Sequence, residues 1–283
     1  MKDVVFMMDI KMGEDSQRYT PNRSLPYQYS IASWKKFCDR YDCELVILDE
    51  LLYPADEMAI CWQRYHLFDI LESSGIDYNQ VLVVDADTIV HPDCPNIFEM
   101  TDNKFTVATL DASWDWVSRS VENYSLFVFD NYKFDVFKYF DCGFYIVNSQ
   151  HKKFFKFILE FYNENVENLK WMQETFHTGT DQTPVNFLTE MYNIEKTYLP
   201  YEYNMVDLLR KELLSPTNDL LAQENDLLFT KIGMIYQFNC IPLQKDNEVT
   251  FYYMKRTYNE LYGELEDDTT TVEIIKGKDE TEE

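Results

Sequence analysis

The chain is 283 residues long, enough for one large or two small domains with a substantial buried core. With only 7 glycines and 16% aromatic residues it is neither a disordered nor a fibrous protein. A formal charge of −25 argues against binding to nucleic acid or to anionic membranes and for plain solubility.

Residues 4–8 predict a first strand, and residues 11–26 a polar loop carrying Arg18, Tyr19 and Arg23. Residues 27–41 read as an amphipathic helix and 44–48 as a second strand. Residues 57–74 read as one helix, with Ile60, Tyr65, Leu67, Phe68, Ile70 and Leu71 as its apolar positions and Gly75 as its stop.

The next run, residues 81–90, is Val-Leu-Val-Val-Asp-Ala-Asp-Thr-Ile-Val. Four apolar, mostly β-branched residues read as a buried strand. Side chains alternate along a strand, so Asp85 and Asp87 are expected to leave its end on one side. Two such carboxylates repel unless a cation lies between them, and oxygen ligands suit Mg²⁺ or Mn²⁺. The plain alternative is a pair of loop residues, one of them capping a turn.

Residues 105–110 are a further strand, and 111–137 a Trp- and Tyr-rich insert of little periodicity. Residues 144–147 read as a strand and 152–171 as a helix. Residues 177–180 are a loop, and 181–191 a helix with Thr180 or Asp181 as its N-cap. Residues 197–204 are extended, 205–228 helical or loop-like, and 232–238 a late strand. The whole suggests one domain over 1–263 and an acidic tail over 264–283, which holds nine acids against two lysines and is expected to lack fixed structure. Strands alternating with helices predict an α/β fold with a mostly parallel sheet, whose ligands bind at the carboxyl ends of the strands.

Six cysteines show no C-x-x-C pair, so a structural zinc site is not expected. The N-terminus is too short and too acidic for a signal peptide, and no 18-residue apolar run suggests a membrane span. A reducing cytoplasm is the expected location.

The motifs fall in a recognisable order: Cys-Trp-Gln-Arg-Tyr at 61–65, Val-Asp-Ala-Asp-Thr at 84–88, Phe-Asp-Cys-Gly-Phe at 140–144, Thr-Asp-Gln-Thr-Pro at 180–184 and Leu-Pro-Tyr-Glu-Tyr-Asn at 199–204. Over residues 1–240 this resembles the nucleotide-sugar glycosyltransferases of GT-A fold. It is most similar to glycosyltransferase family eight, the glycogenin and bacterial galactosyltransferase-like group. The resemblance implies that Asp85 and Asp87, flanking Ala86, hold Mn²⁺ or Mg²⁺ on the diphosphate of a UDP-linked donor. Arg64 then matches a basic position on the nucleotide or donor sugar. Asp141 stands where the family more often has Asn, before Gly143 on a strand beside the donor sugar. Asp181 and Gln182 match a pair that reaches the sugar near its reacting carbon. The family's late His-Phe-x-Gly, source of a third metal ligand, has no counterpart, because no His follows His177. The corresponding residues 235–239 offer a neutral amide oxygen from Gln237 or Asn239. The resemblance leans towards retention of anomeric configuration.

Each residue also has an ordinary reading. Arg64 could pair with Asp69 or Glu57 on a helix surface, and Asp181 could be only an N-cap. His91 reads as a turn residue, and His177 as a loop residue within reach of a donor or acceptor on the functional reading. Trp114 and Trp116 could stack on an acceptor sugar or pack in the core, and Cys142 is a packing residue. The function expected is metal-dependent transfer from a nucleotide sugar to a hydroxyl acceptor. The rivals are a nucleotidyltransferase and a catalytically silent glycan-binding or scaffold protein of the same fold.

Overall fold

The apolar run before Asp85 forms the middle of the molecule. In the computed structural model, which describes residues 1–12, 23–178, 180–208, 227–239, 248–265 and 273–275, this run lies in strand β3 (Tyr78–Asp85). It sits between β1 (Lys2–Met8) and β6 (Phe144–Asn148) in a seven-stranded sheet. The other strands are β2 (Glu44–Leu48), β5 (Phe105–Ala108), β7 (Lys196–Leu199) and β9 (Glu273–Ile275), in the order β7-β5-β6-β3-β1-β2-β9. Strand β6 runs against both its neighbours, and the remaining pairs are parallel.

Both faces of the sheet are covered, which explains an unbroken apolar run rather than an alternating one. Val81 and Val83 enter one core, with Trp62, Tyr65, Tyr124 and Phe155. Leu82 and Val84 enter the other, with Trp34 and Phe37 from α1 (Tyr27–Tyr41). The first core is roofed by α2 (Ile60–Gln63), α3 (Leu67–Ser73), α4 (Trp114–Phe127), α5 (Lys152–Phe176) and α6 (Gln182–Met191). Strands β4 (Thr88–Val90) and β8 (Ile235–Gln237) form a small second sheet, packed on α7 (Glu248–Tyr262).

Several expectations need correction. The helix read over 57–74 is two helices joined by a 3₁₀ turn at Arg64–His66. The cause is Gln63, whose buried amide bonds the backbone of Leu52, Tyr53 and Met58 and draws the chain out of a regular helix. The insert 111–137 contains helix α4, whose buried Val117, Val121 and Tyr124 do have helical spacing. The outward Trp114, Leu126 and Phe127 hide that period. Asp87 does not continue β3; it lies in a two-residue turn between β3 and β4, so strand alternation does not set its direction. In the acidic stretch 264–283, Glu273–Ile275 pairs in parallel with β2. Arg18, Tyr19, Cys240 and residues 209–226 of the least regular stretch lie outside the described residues. No helix among the described residues is long and apolar enough to cross a membrane.

Candidate active site

Strand directions decide which residues meet. The carboxyl ends of β1, β3, β5 and β7 share one sheet edge with the amino end of the reversed strand β6. Asp9, Asp85, Asp141 and Gly143 therefore gather there. A cleft of ≈ 380 Å³ opens at this edge, lined among others by Asp9, Arg23, Tyr27, Arg64, Asp85, Ala86, Asp87 and Thr180.

Asp85 leaves β3 on the face of Val81 and Val83, where the 3₁₀ turn presents Arg64. Arg64 Nη1 lies 3.0 Å from Asp85 Oδ1, and Nε 3.7 Å from Asp181 Oδ2. The guanidinium is pinned by donating to the carbonyls of Cys142 (2.7 Å) and Cys61 (3.1 Å). The ordinary alternative, a surface pairing with Asp69 or Glu57, is not what Arg64 makes. Burial opposes the charge on Arg64, but Asp85 and Asp181 outweigh it and hold the group protonated.

Asp181 occupies the N-cap position of α6 without capping it. Its carboxylate instead accepts from Tyr65 Oη (2.9 Å) and Thr180 Oγ1 (3.0 Å). Gln182 lies beside it, and its Oε1 accepts from the Cys142 N–H (3.3 Å). Asp141 Oδ2 accepts from the Gly143 N–H (3.0 Å) and Asn204 Nδ2 (3.2 Å).

Gln237 arrives from far along the chain. Strand β8 pairs antiparallel with β4, Thr88 opposite Gln237, and the Phe238 N–H donates to Asp87 O. Gln237 Nε2 then donates to Asp85 Oδ2 at 3.0 Å. The alternative, Asn239, is occupied elsewhere, its Oδ1 accepting from the Asp207 N–H.

Two buried oxygens at this junction, Asp87 Oδ1 and Gln237 Oε1, have no hydrogen-bond partner. A buried, unsatisfied acceptor is costly unless a ligand completes it. Burial pushes the Asp87 carboxyl well above its ordinary value, helped by the charges of Asp85 and Asp141. Burial and Asp85 push Asp141 up to about 7. Among the described residues no three His, Cys, Asp or Glu stand close enough to hold a metal alone. The donors are two carboxylates and one amide oxygen, a hard-oxygen set that suits Mg²⁺ or Mn²⁺ once ligand oxygens join it. On these grounds the residues fit such an ion.

Gly143 explains its own identity. A Cβ there would stand 2.5 Å from Asp85 Oδ2, 2.5 Å from Gln237 Nε2 and 2.7 Å from Asp141 Oδ2. Gly143→Ala is expected to cost about 1–3 kcal/mol of stability through overpacking. It should also weaken Mn²⁺ binding by about tenfold or more by parting these three groups. Thermal melts and a Mn²⁺ titration check both effects.

Sequence reasoning missed the β1 end of the cleft. Asp9 is buried and accepts from Ser24 Oγ at 2.5 Å, and burial with the nearby Asp87 charge pushes the Tyr27 phenol up to about 12. The usable signal was Asp9 at the carboxyl end of a central strand. Tyr65, wholly buried and bonded to Asp181, was read only as a core position. His91 sits away from this cleft beside Lys36, Arg40 and Tyr262, and His177 caps the end of α5 in a left-handed conformation. Cys142 is a buried thiol, pushed up by burial and then by Asp181.

No family model matches the chain, and no curated protein matches it in sequence. Its backbone is similar to that of a glycosyltransferase involved in the glycosylation of the major capsid of PBCV-1. The TM-score is 0.54 at 10% identity, over 90% of this chain and 98% of that one. The chain has a GT-A glycosyltransferase fold. More distant likenesses are to the galactosyltransferase LgtC in complex with donor and acceptor sugar analogs and to GlyE of Streptococcus pneumoniae TIGR4. The first has TM-score 0.46 and 15% identity over 95% of this chain and 97% of that one, and the second 0.42 and 14% over 92% and 61%.

Proposed function

We propose that this GT-A chain binds a nucleotide-diphosphate sugar, UDP-linked, in the cleft and transfers its sugar to a hydroxyl of a saccharide or other acceptor, with Mn²⁺ or Mg²⁺ as cofactor. One observation carries the reading. Buried, unpartnered Asp87 Oδ1 and Gln237 Oε1 stand beside Asp85 and the fixed cation Arg64, at the carboxyl edge of the sheet.

A divalent cation, when bound by Asp85, Asp87 and Gln237, supplies Lewis-acid stabilisation of a diphosphate leaving group. Arg64 adds a half-buried guanidinium with geometry for phosphate oxygens, already oriented by two carbonyls. Asp181 is held by Tyr65 and Thr180 and needs no reorganisation to face an electron-poor sugar carbon. Asp141 and Gln182 hold the Cys142-Gly143 backbone on the side where the sugar would lie.

The test is hydrolysis of a panel of nucleotide sugars with Mn²⁺, with Mg²⁺ and with chelator. One donor should be turned over only with metal. If none is bound or hydrolysed, the transferase reading fails. Donor binding without transfer is the second reading, favoured by one observation: both Asp85 oxygens are already engaged, by Arg64 and by Gln237. Binding with no turnover in any metal would select it.

A further inference from the structure

The cleft accounts for the β1 and β3 part of the active edge. The same edge continues over β6, β5 and β7, and two exposed rings stand there. Trp114 opens α4 six residues beyond Ala108, the carboxyl end of β5, and Phe137 lies in a 3₁₀ turn four residues before Asp141. Their centroids are 5.8 Å apart with planes inclined by 51°. Trp114 is 37% exposed and Phe137 78%. The neighbouring Trp116 is part of the core wall.

Both rings are held rather than loose. Ser113 takes up a left-handed conformation (φ 57°), and its hydroxyl donates to Asp207. The Asp207 N–H in turn donates to Asn239, two residues beyond Gln237. The Phe137 turn is fixed by its own N–H to Asp135 Oδ1 (3.1 Å), by Tyr198 Oη donating to Lys138 O (3.0 Å) and by the Lys138–Glu190 ion pair. The fold thus spends ordered contacts on presenting two apolar faces to solvent at the edge of the site. Phe137 is four residues from Asp141, so their Cα atoms are at most about 14 Å apart.

We propose that Trp114 and Phe137 form the platform on which the acceptor saccharide stacks; this rests on the transfer reading of the cleft. The C–H face of a sugar ring carries partial positive charge and complements the negative face of an aromatic ring. The inclined pair offers two such faces. The charge balance selects the class of saccharide. The protein carries −25, and segment 111–138, which bears the rings, holds five acids, Asp111, Asp115, Glu122, Asp130 and Asp135, against three bases, Arg119, Lys133 and Lys138. Arg119 and Lys138 of that segment are paired with Asp115 and Glu190. A neutral saccharide fits this surface, and an anionic one is repelled.

A printed array of neutral and acidic glycans, probed with the wild type, Trp114→Ala and Phe137→Ala, tests the platform. Donor hydrolysis without acceptor is measured in parallel. Both side chains are exposed, so thermal melts should show the variants folded. The wild type should retain neutral glycans, and each variant should lose about tenfold or more of that retention. Hydrolysis should stay near the wild-type rate. Equal retention by all three proteins, retention of acidic glycans only, or no retention overturns the platform. Absence of donor hydrolysis in the wild type, with ring-dependent retention intact, overturns the transfer reading and keeps the two failures apart.

Discussion

Asp87→Asn is expected to lower donor turnover by about 100- to 1000-fold, the loss typical when a preorganised electrostatic group is removed, while making the metal-free protein more stable. The two effects share one cause. Asp87 is half-buried, its Oδ1 is shut off from solvent without a partner, and desolvation with the charges of Asp85 and Asp141 pushes its carboxyl well above the ordinary range. Near neutral pH the folded protein therefore bears the cost of a crowded, desolvated acid. An amide of the same shape removes the charge and keeps the volume. A gain of about 1–2 kcal/mol is expected, which for a domain of this size is roughly 3–6 °C in melting temperature. Stability given up at one residue and recovered on its removal marks a functional site. Thermal melts in chelator and hydrolysis assays in Mn²⁺ check the pair. A variant that stays active, or melts lower than the wild type in chelator, contradicts this account of Asp87.

The second large effect is on pH dependence. Burial and Asp85 raise the Asp141 carboxyl to about 7 in the folded chain, from an ordinary 3.8. A group whose folded value is raised binds its proton more tightly in the native state. Its contribution to stability is complete below the unfolded value and is lost as pH rises through the folded one. The metal-free wild type, measured against Asp141→Asn, should therefore lose stability between about pH 4 and pH 7, by an amount on the order of 3–4 kcal/mol. Added Mn²⁺ should reverse the trend. Ligand carboxylates must be deprotonated, so binding tightens as pH rises and releases protons. Binding to the folded state alone then stabilises by mass action. Melting curves from pH 4 to 8 in chelator and in Mn²⁺ decide it. A pH-independent difference between wild type and Asp141→Asn would show that Asp141 is not held protonated by its surroundings.

Part of this site was legible without coordinates. The four apolar residues before Asp85 name a buried strand, because a sheet covered on both faces needs apolar side chains on both. In an open sheet that strand's carboxyl end is where a ligand binds. Arg64, Asp141, Gly143, Asp181 and Gln182 were picked out by motif order, and the structure brings them to one edge around Asp85. Other features were hidden because they depend on side-chain contacts that local pattern does not encode. The 3₁₀ turn that aims Arg64 comes from the bonds of one buried amide, Gln63. The N-cap expected of Asp181 is absent because Tyr65, distant in sequence, takes its carboxylate.

The α/β alternation, the strand that ends in Asp85 and the carboxylate pair with one small residue between can be read from residue order alone. These follow from short-range periodicity and charge, which act within one element. The direction of Asp87, set by a turn and by the β4–β8 pairing, and the arrival of Gln237 at Asp85 across 152 residues emerge only when the chain is folded. Contacts at that separation depend on how strands pair and on which buried polar atoms satisfy one another.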